Sequence, residues 1–126
     1  MNIPNNLKYT KEHEWILVEG NVGTIGVTDY AQGELGDVVY VDIDPALNEI
    51  KKGESIGTIE AVKTVSDIYA PFSGKVVEQN EEIKDSPELV NSDPYGKGWM
   101  LKVEISDSSE LADLLDDAAY QALIGQ

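Results

Sequence analysis

Short β-rich runs, each cut off after a few residues by glycine, proline, asparagine or aspartate, leave this chain little choice beyond a small antiparallel β fold. Trp15-Ile16-Leu17-Val18 stops at Glu19-Gly20-Asn21, and Val22 to Val27 resumes. Gly20-Asn21 suits a two-residue hairpin loop with glycine at its first central position. Thr28 can cap a short helical turn through Asp29, Tyr30, Ala31 and Gln32, with Gly33 closing it. Further strands are expected at 38–43, 55–62, 75–79 and 99–105. Ser86-Pro87 reads as a helix N-cap with proline at the first helical position, and Asn91 to Gly98 as a turn cluster.

The pattern changes after Ser106. Asp107-Ser108-Ser109-Glu110 has capping-box spacing with Asp at the cap. Leu111, Leu114, Leu115, Ala118, Ala119 and Ala122 then recur at helical intervals over about 107–124. Asp116-Asp117 can split this stretch into two short helices. With no linker or low-complexity tract, 1–126 reads as one domain: mainly β, a small barrel or sandwich closed by short C-terminal helices.

Composition narrows the chemistry. The 126 residues carry 24 acidic side chains against 9 basic ones, a net charge of −15, and every base is a lysine. Nucleic acid is a poor partner for such a surface, since phosphate binding wants a basic footprint and usually arginine forks. No cysteine and a single histidine exclude a structural zinc site, a disulfide frame and a thiol nucleophile. No apolar run has the length of a membrane span. The opening Met1 to Asn6 resembles neither a signal nor a transit peptide, so a cytoplasmic chain of bacterial type is expected.

One lysine stands alone in a β-rich run: no other base lies between Lys52 and Lys75, and Lys63 falls midway. Propensity alone makes the run within Gly57 to Pro71 one long strand, because Val62-Lys63-Thr64 contains no turn residue. Lys63 is then a solvent-facing strand lysine. The segment Glu60-Ala61-Val62-Lys63-Thr64-Val65-Ser66-Asp67-Ile68-Tyr69-Ala70-Pro71, however, resembles the lipoylation site of glycine cleavage H proteins. The resemblance extends through Leu7 to Trp15, Gly23 to Gln32, Leu35 to Val39, and Pro87 to Tyr95 with Gly98-Trp99. These blocks run in the family's order over nearly the whole chain.

The resemblance implies a barrel-sandwich hybrid of the lipoyl/biotinyl-carrier type, and it turns the long strand into a hairpin with its tip at Lys63. It implies a carrier and not an enzyme, with lipoate in amide linkage to Lys63. The implied partners are a pyridoxal-phosphate glycine decarboxylase, a tetrahydrofolate-dependent aminomethyltransferase, dihydrolipoyl dehydrogenase and a lipoate-attaching enzyme, with the free chain a monomer. It further suggests that Glu14, and also Asp67, line a cleft for the aminomethyl-loaded arm. Glu12 departs from the small polar residue frequent at its position, and it can crowd that cleft or add charge to it.

Lysine suits the anchor because its amine can be acylated, whereas a guanidinium keeps its charge. Glu14 and Asp67 can equally be ordinary surface acids. His13 between Glu12 and Glu14 invites a metal reading, but neighbours in an extended run point in alternate directions. His13 is expected to pack or hydrogen-bond beside Trp15. A biotin carrier remains an alternative, although biotin sites favour methionines flanking the lysine, where this chain has Val62 and Thr64. A lipoyl-relay paralogue that donates lipoyl groups to other complexes is another. A small hydrolase would need a nucleophile elbow, which is missing.

Overall fold

Gly20 sets the first hairpin. In the computed structural model, which describes residues 2–125, β2 (Glu14–Glu19) and β3 (Val22–Val27) pair down to Glu19 opposite Val22. Of the two loop residues only Gly20 has positive φ, at +64°, as a turn with glycine first requires. A two-residue strand that the sequence did not suggest, β1 (Lys8–Tyr9), adds to the outer edge of β2.

Thr28 caps α1 (Asp29–Leu35), its hydroxyl accepting from the Ala31 N–H at 3.1 Å. The helix does not stop at Gly33. It continues to Leu35 and ends at Gly36, whose φ of +80° and ψ of −158° are open essentially to glycine alone. A glycine inside a helix costs only about 1 kcal/mol, and burying Leu35 in the core offsets that.

The remaining strands are β4 (Val38–Asp42), β5 (Glu49–Ile50), β6 (Ser55–Ala61), β7 (Val65–Tyr69), β8 (Gly74–Gln79) and β9 (Leu101–Ile105). They form two antiparallel sheets, ordered β1-β2-β3-β9-β8-β5 and β4-β6-β7. Ile16, Ile25 and Val103 of the first meet Val41, Ile59 and Ile68 of the second in the main core, with Phe72 and Met100 from the adjoining loops. The last strand begins at Leu101 and not at Trp99, because the Trp99 N–H turns back to Gly96 O.

Two helical expectations need correction. Ser86 is not an N-cap: it closes α2 (Glu82–Asp85), a turn built round the buried Ile83, and its N–H goes to Glu82 O. The following helix, α3 (Leu89–Ser92), starts from Glu88 without a side-chain cap. At the C-terminal side Asp107 does cap, accepting from the Ser109 N–H, but only a 3-10 turn (Ser108–Asp113) follows. The box stays half made, because the Glu110 carboxylate accepts from the N–H and hydroxyl of Ser73 instead.

The split at Asp116 is found, with Asp116 capping α4 (Asp117–Ile124). Tyr120 of α4 stacks on Tyr9 at 4.7 Å in a second cluster with Leu7 and Trp15. The C-terminal helix thereby holds the N-terminal block in place.

Backbone crowding between β8 and β9 generates a test. A Cβ on Gly74 would lie 2.1 Å from Glu104 O, whereas one on Gly33 meets nothing within 4 Å. Gly74→Ala should cost about 2–4 kcal/mol, and Gly33→Ala should gain about 0.5–1 kcal/mol. Urea unfolding measures both; equal midpoints for the two variants would contradict the packing described.

Candidate functional site

The β6–β7 ladder runs to Glu60 opposite Val65, and the Ala61 N–H then closes the hairpin on Thr64 O at 2.8 Å. Only Val62 and Lys63 remain at the tip, and neither has positive φ. Propensity alone missed this turn because it needs no glycine, proline or asparagine. Val62 is 73% exposed and Val65 61%, so the chain presents apolar side chains to water around Lys63.

Lys63 is itself exposed. Among the described residues it forms no ion pair within 4 Å, although acids outnumber bases 24 to 9. Its stem lies back over Gly36, where an added Cβ would come within 3.5 Å of Cε. The Val62 N–H donates to Asp37 O at 3.0 Å, which fastens the tip to the loop after α1.

Glu14 is no surface acid. It opens β2 at only 2% exposure. The Thr10 hydroxyl donates to Oε1 at 2.5 Å, and the Tyr69 N–H donates to Oε2 at 3.2 Å. Burial pushes its carboxyl up to about 7, a rise opposed by those two donors and assisted by the charge of Glu12.

A cleft of about 230 Å³ has Glu14 in its lining. Val27, Ala31, Leu35 and Ile59 give it apolar walls, and Glu12, Glu34 and Asp67 add acids. The structure thus brings Glu14 and Asp67 to one cleft. Their settings differ, for Asp67 is exposed and accepts from the Ser55 hydroxyl at 3.1 Å. A wider cleft of about 550 Å³ also reaches Glu12 and Glu14, and Lys52, paired with Asp113, lines it. Asp67 does not line that second space.

Because β7 is the free edge of its sheet, Ser66 and Asp67 bring the narrow cleft close to the tip. Val65 to Asp67 spans roughly 7 Å at the rise of a strand. The narrow cleft thus opens near the tip and has Glu14 in its lining, so a chain reaching it from the tip would meet these groups. Apolar walls suit an aliphatic stem, and a buried carboxyl suits an amine at its end.

His13 sits elsewhere than expected. With φ of +70° it leaves the extended run. Its Nδ1 meets the Tyr120 hydroxyl at 2.9 Å, and its ring tilts against Tyr30, not Trp15. Trp15 instead donates its indole N–H to Pro94 O. Burial lowers the His13 pKa, against the charges of Glu12 and Glu34. Among the described residues no group of three His, Asp or Glu side chains is arranged to hold a metal.

Sequence reasoning missed Thr10 and the α1 residues Ala31, Glu34 and Leu35. Helical spacing from Thr28 would have put Ala31 and Leu35 on one face, had the helix been carried past Gly33.

Comparison with known proteins identifies the family. The family model described as Glycine cleavage H-protein matches residues 7–126. The chain is 59% identical to a glycine cleavage system H protein of Staphylococcus haemolyticus and 56% identical to one of Staphylococcus saprophyticus, in each case over all of both chains. It also superposes on the crystal structure of a glycine cleavage system H protein from Mycobacterium marinum. The TM-score is 0.90 at 36% identity, covering 98% of this chain and 100% of that one. The two antiparallel sheets and short helices accord with the barrel-sandwich hybrid.

The buried carboxyl makes stability depend on pH. Glu14 holds its proton up to about 7 in the native state, against an ordinary 4.5. Its contribution is complete below pH 4.5 and is lost as pH rises through about 7, a loss of roughly 3 kcal/mol. Glu14→Gln stays neutral, so its stability relative to wild type should rise by about that amount over this window. Urea titrations at a series of pH values check this; a pH-independent difference contradicts it.

Proposed function

The chain belongs to the glycine cleavage H-protein family, a family of carriers and not catalysts, and on that premise we propose that it carries lipoate in amide linkage on Lys63. The observation that supports this most is the setting of Lys63: an exposed lysine on a two-residue tip, without an ion-pair partner among the described residues, near a cleft that has the buried Glu14 in its lining. When bound, the dithiolane supplies a sulfur that takes up an aminomethyl group and later gives it up. Position, shelter and release fall to the protein.

In this reading the chain receives the aminomethyl group from the pyridoxal-phosphate glycine decarboxylase and presents it to the tetrahydrofolate-dependent aminomethyltransferase. Dihydrolipoyl dehydrogenase then reoxidises it, and a separate lipoate-attaching enzyme loads Lys63 beforehand. The whole of 1–126 acts as one domain, a cytoplasmic monomer between encounters. Its −15 charge favours partners with basic docking faces and disfavours nucleic acid.

Glu14 has the decisive role in the cleft. An ammonium arriving there forms a charge-assisted hydrogen bond with the ionised carboxylate, so its entry favours loss of the Glu14 proton. Val27, Ala31, Leu35 and Ile59 keep water from the carried group, which hydrolyses readily in the open. Asp67 adds negative potential at the mouth, and Glu12 adds charge without closing the space.

Reconstitution with the three enzymes tests the proposal. Lys63→Arg should fold with unchanged stability, take up no lipoate and support no glycine oxidation. In the same mixture lacking tetrahydrofolate, Glu14→Ala should accept the aminomethyl group but lose it to water about tenfold faster, the worth of one charge-assisted bond. Turnover by the Lys63→Arg protein would overturn the carrier assignment, and an unchanged half-life would remove Glu14 from it.

A further inference from the structure

Among the sequence blocks, Pro87 to Tyr95 lies on neither the tip nor the cleft, yet one of its side chains reaches the tip's support. Asn91, in α3, uses both ends of its amide. Its Oδ1 accepts from the Val38 N–H at 2.8 Å, and its Nδ2 donates to Gly36 O at 2.9 Å and to Gln32 Oε1 at 3.0 Å. The backbone groups fix which way the amide points, because an N–H can only donate and a carbonyl only accept. Gln32 is held in turn by Asp29, whose Oδ1 accepts from Nε2 at 2.7 Å.

These bonds bracket one residue. Asn91 grips the carbonyl before Asp37 and the N–H after it, and Asp37 O is the acceptor that holds the Val62 N–H next to the anchor. The bracketed loop needs holding. It follows the end of α1, passes through the glycine-only conformation of Gly36, and enters β4 just before a register slip between Val38 and Tyr40. Beyond Val38 opposite Ala61 no ladder pair of β4 with β6 remains to fix it.

We propose that Asn91 is a positioning residue for the carrier lysine: its amide clamps the Gly36–Val38 backbone and so fixes where Asp37 O holds the Val62–Lys63 tip. The proposal rests on Lys63 as the lipoate anchor. An enzyme that acylates Lys63 must find the amine at a set height and angle above the sheet, and a loosened tip presents it there for only part of the time. Productive encounters become rarer, while the chemistry of each one is unaltered. The amide is chemically specific. Aspartate has the same shape and keeps the acceptor for Val38 N–H, but it sets a second oxygen against Gly36 O and repels it.

The test uses the full-length unlipoylated chain with a lipoate-attaching ligase. Asn91→Asp should raise the KM for the protein about tenfold and leave kcat within twofold, as expected when presentation and not reaction is impaired. Amide exchange at Val62 should quicken by a similar factor, and by more than the amide of the buried Ile16 in β2, whose rate follows global stability. Asn91→Ser, which retains a small hydrogen-bonding group and no reach to both backbone atoms, should behave alike and serves if the aspartate variant fails to fold. Ile105→Val, a destabilised control in β9 of the other sheet, should leave KM unchanged.

Unchanged KM in both Asn91 variants would overturn the proposal, and so would an equal rise in KM for the control at matched loss of Tm. If the wild-type chain takes up no lipoate at Lys63 under these conditions, the carrier reading itself fails. That outcome is visible without any Asn91 variant.

Discussion

The bond from the Val62 N–H to Asp37 O reconciles two opposed demands on the structure. A carrier lysine must stand clear of its own protein, and strand ends that stand clear lose the ladder partners that keep them rigid. Here the hairpin leaves the sheet by only two residues. It is fastened at the last point where body backbone is within reach. Lys63 is thus exposed on a tip with a fastened base beneath it.

The same economy explains the second sheet. Three strands suffice because the loop leading into β4 supplies the contact to the tip, β6 carries the chain out and β7 returns it along the rim of the cleft. The larger sheet sets Glu14 opposite, buried and restrained by Thr10 and Tyr69. A carboxyl in that position weakens the fold near neutral pH, which a chain built for stability alone would avoid. Residues that cost stability at a site of suitable geometry point to use. The stacked Tyr9 and Tyr120 confine the cost by pinning the segment that bears Glu14 under the C-terminal helix.

Much of this was legible in the residues. The alternation of β-rich runs with turn residues forecast the strands around Gly20, Thr28 marked a true helix start, and the Asp116-Asp117 break fell where α4 begins, whereas Asp107 capped only a 3-10 turn. What local pattern could not reveal depended on distant partners. Glu110 was drawn from its capping box by Ser73, and Ser86 was taken over by the helix before it. His13 was turned out of line by a left-handed backbone that no neighbour announces. At the site, resemblance named Lys63, Glu14 and Asp67. The burial that separates Glu14 from Asp67 needed the packed sheets, since both are plain acids in β-rich sequence. Asn91 showed only as part of a turn cluster and of a family block, with no role of its own, because its partners lie 53 to 59 residues away.

The account rests on one amine being the attachment point. Intact-mass measurement of the chain recovered from lipoate-competent cells, followed by peptide mapping, reads this directly. The account predicts a single added lipoyl group, located on the peptide containing Lys63 and on no other of the nine lysines. A biotinyl mass, or a lipoyl group mapped to a different lysine, would contradict it.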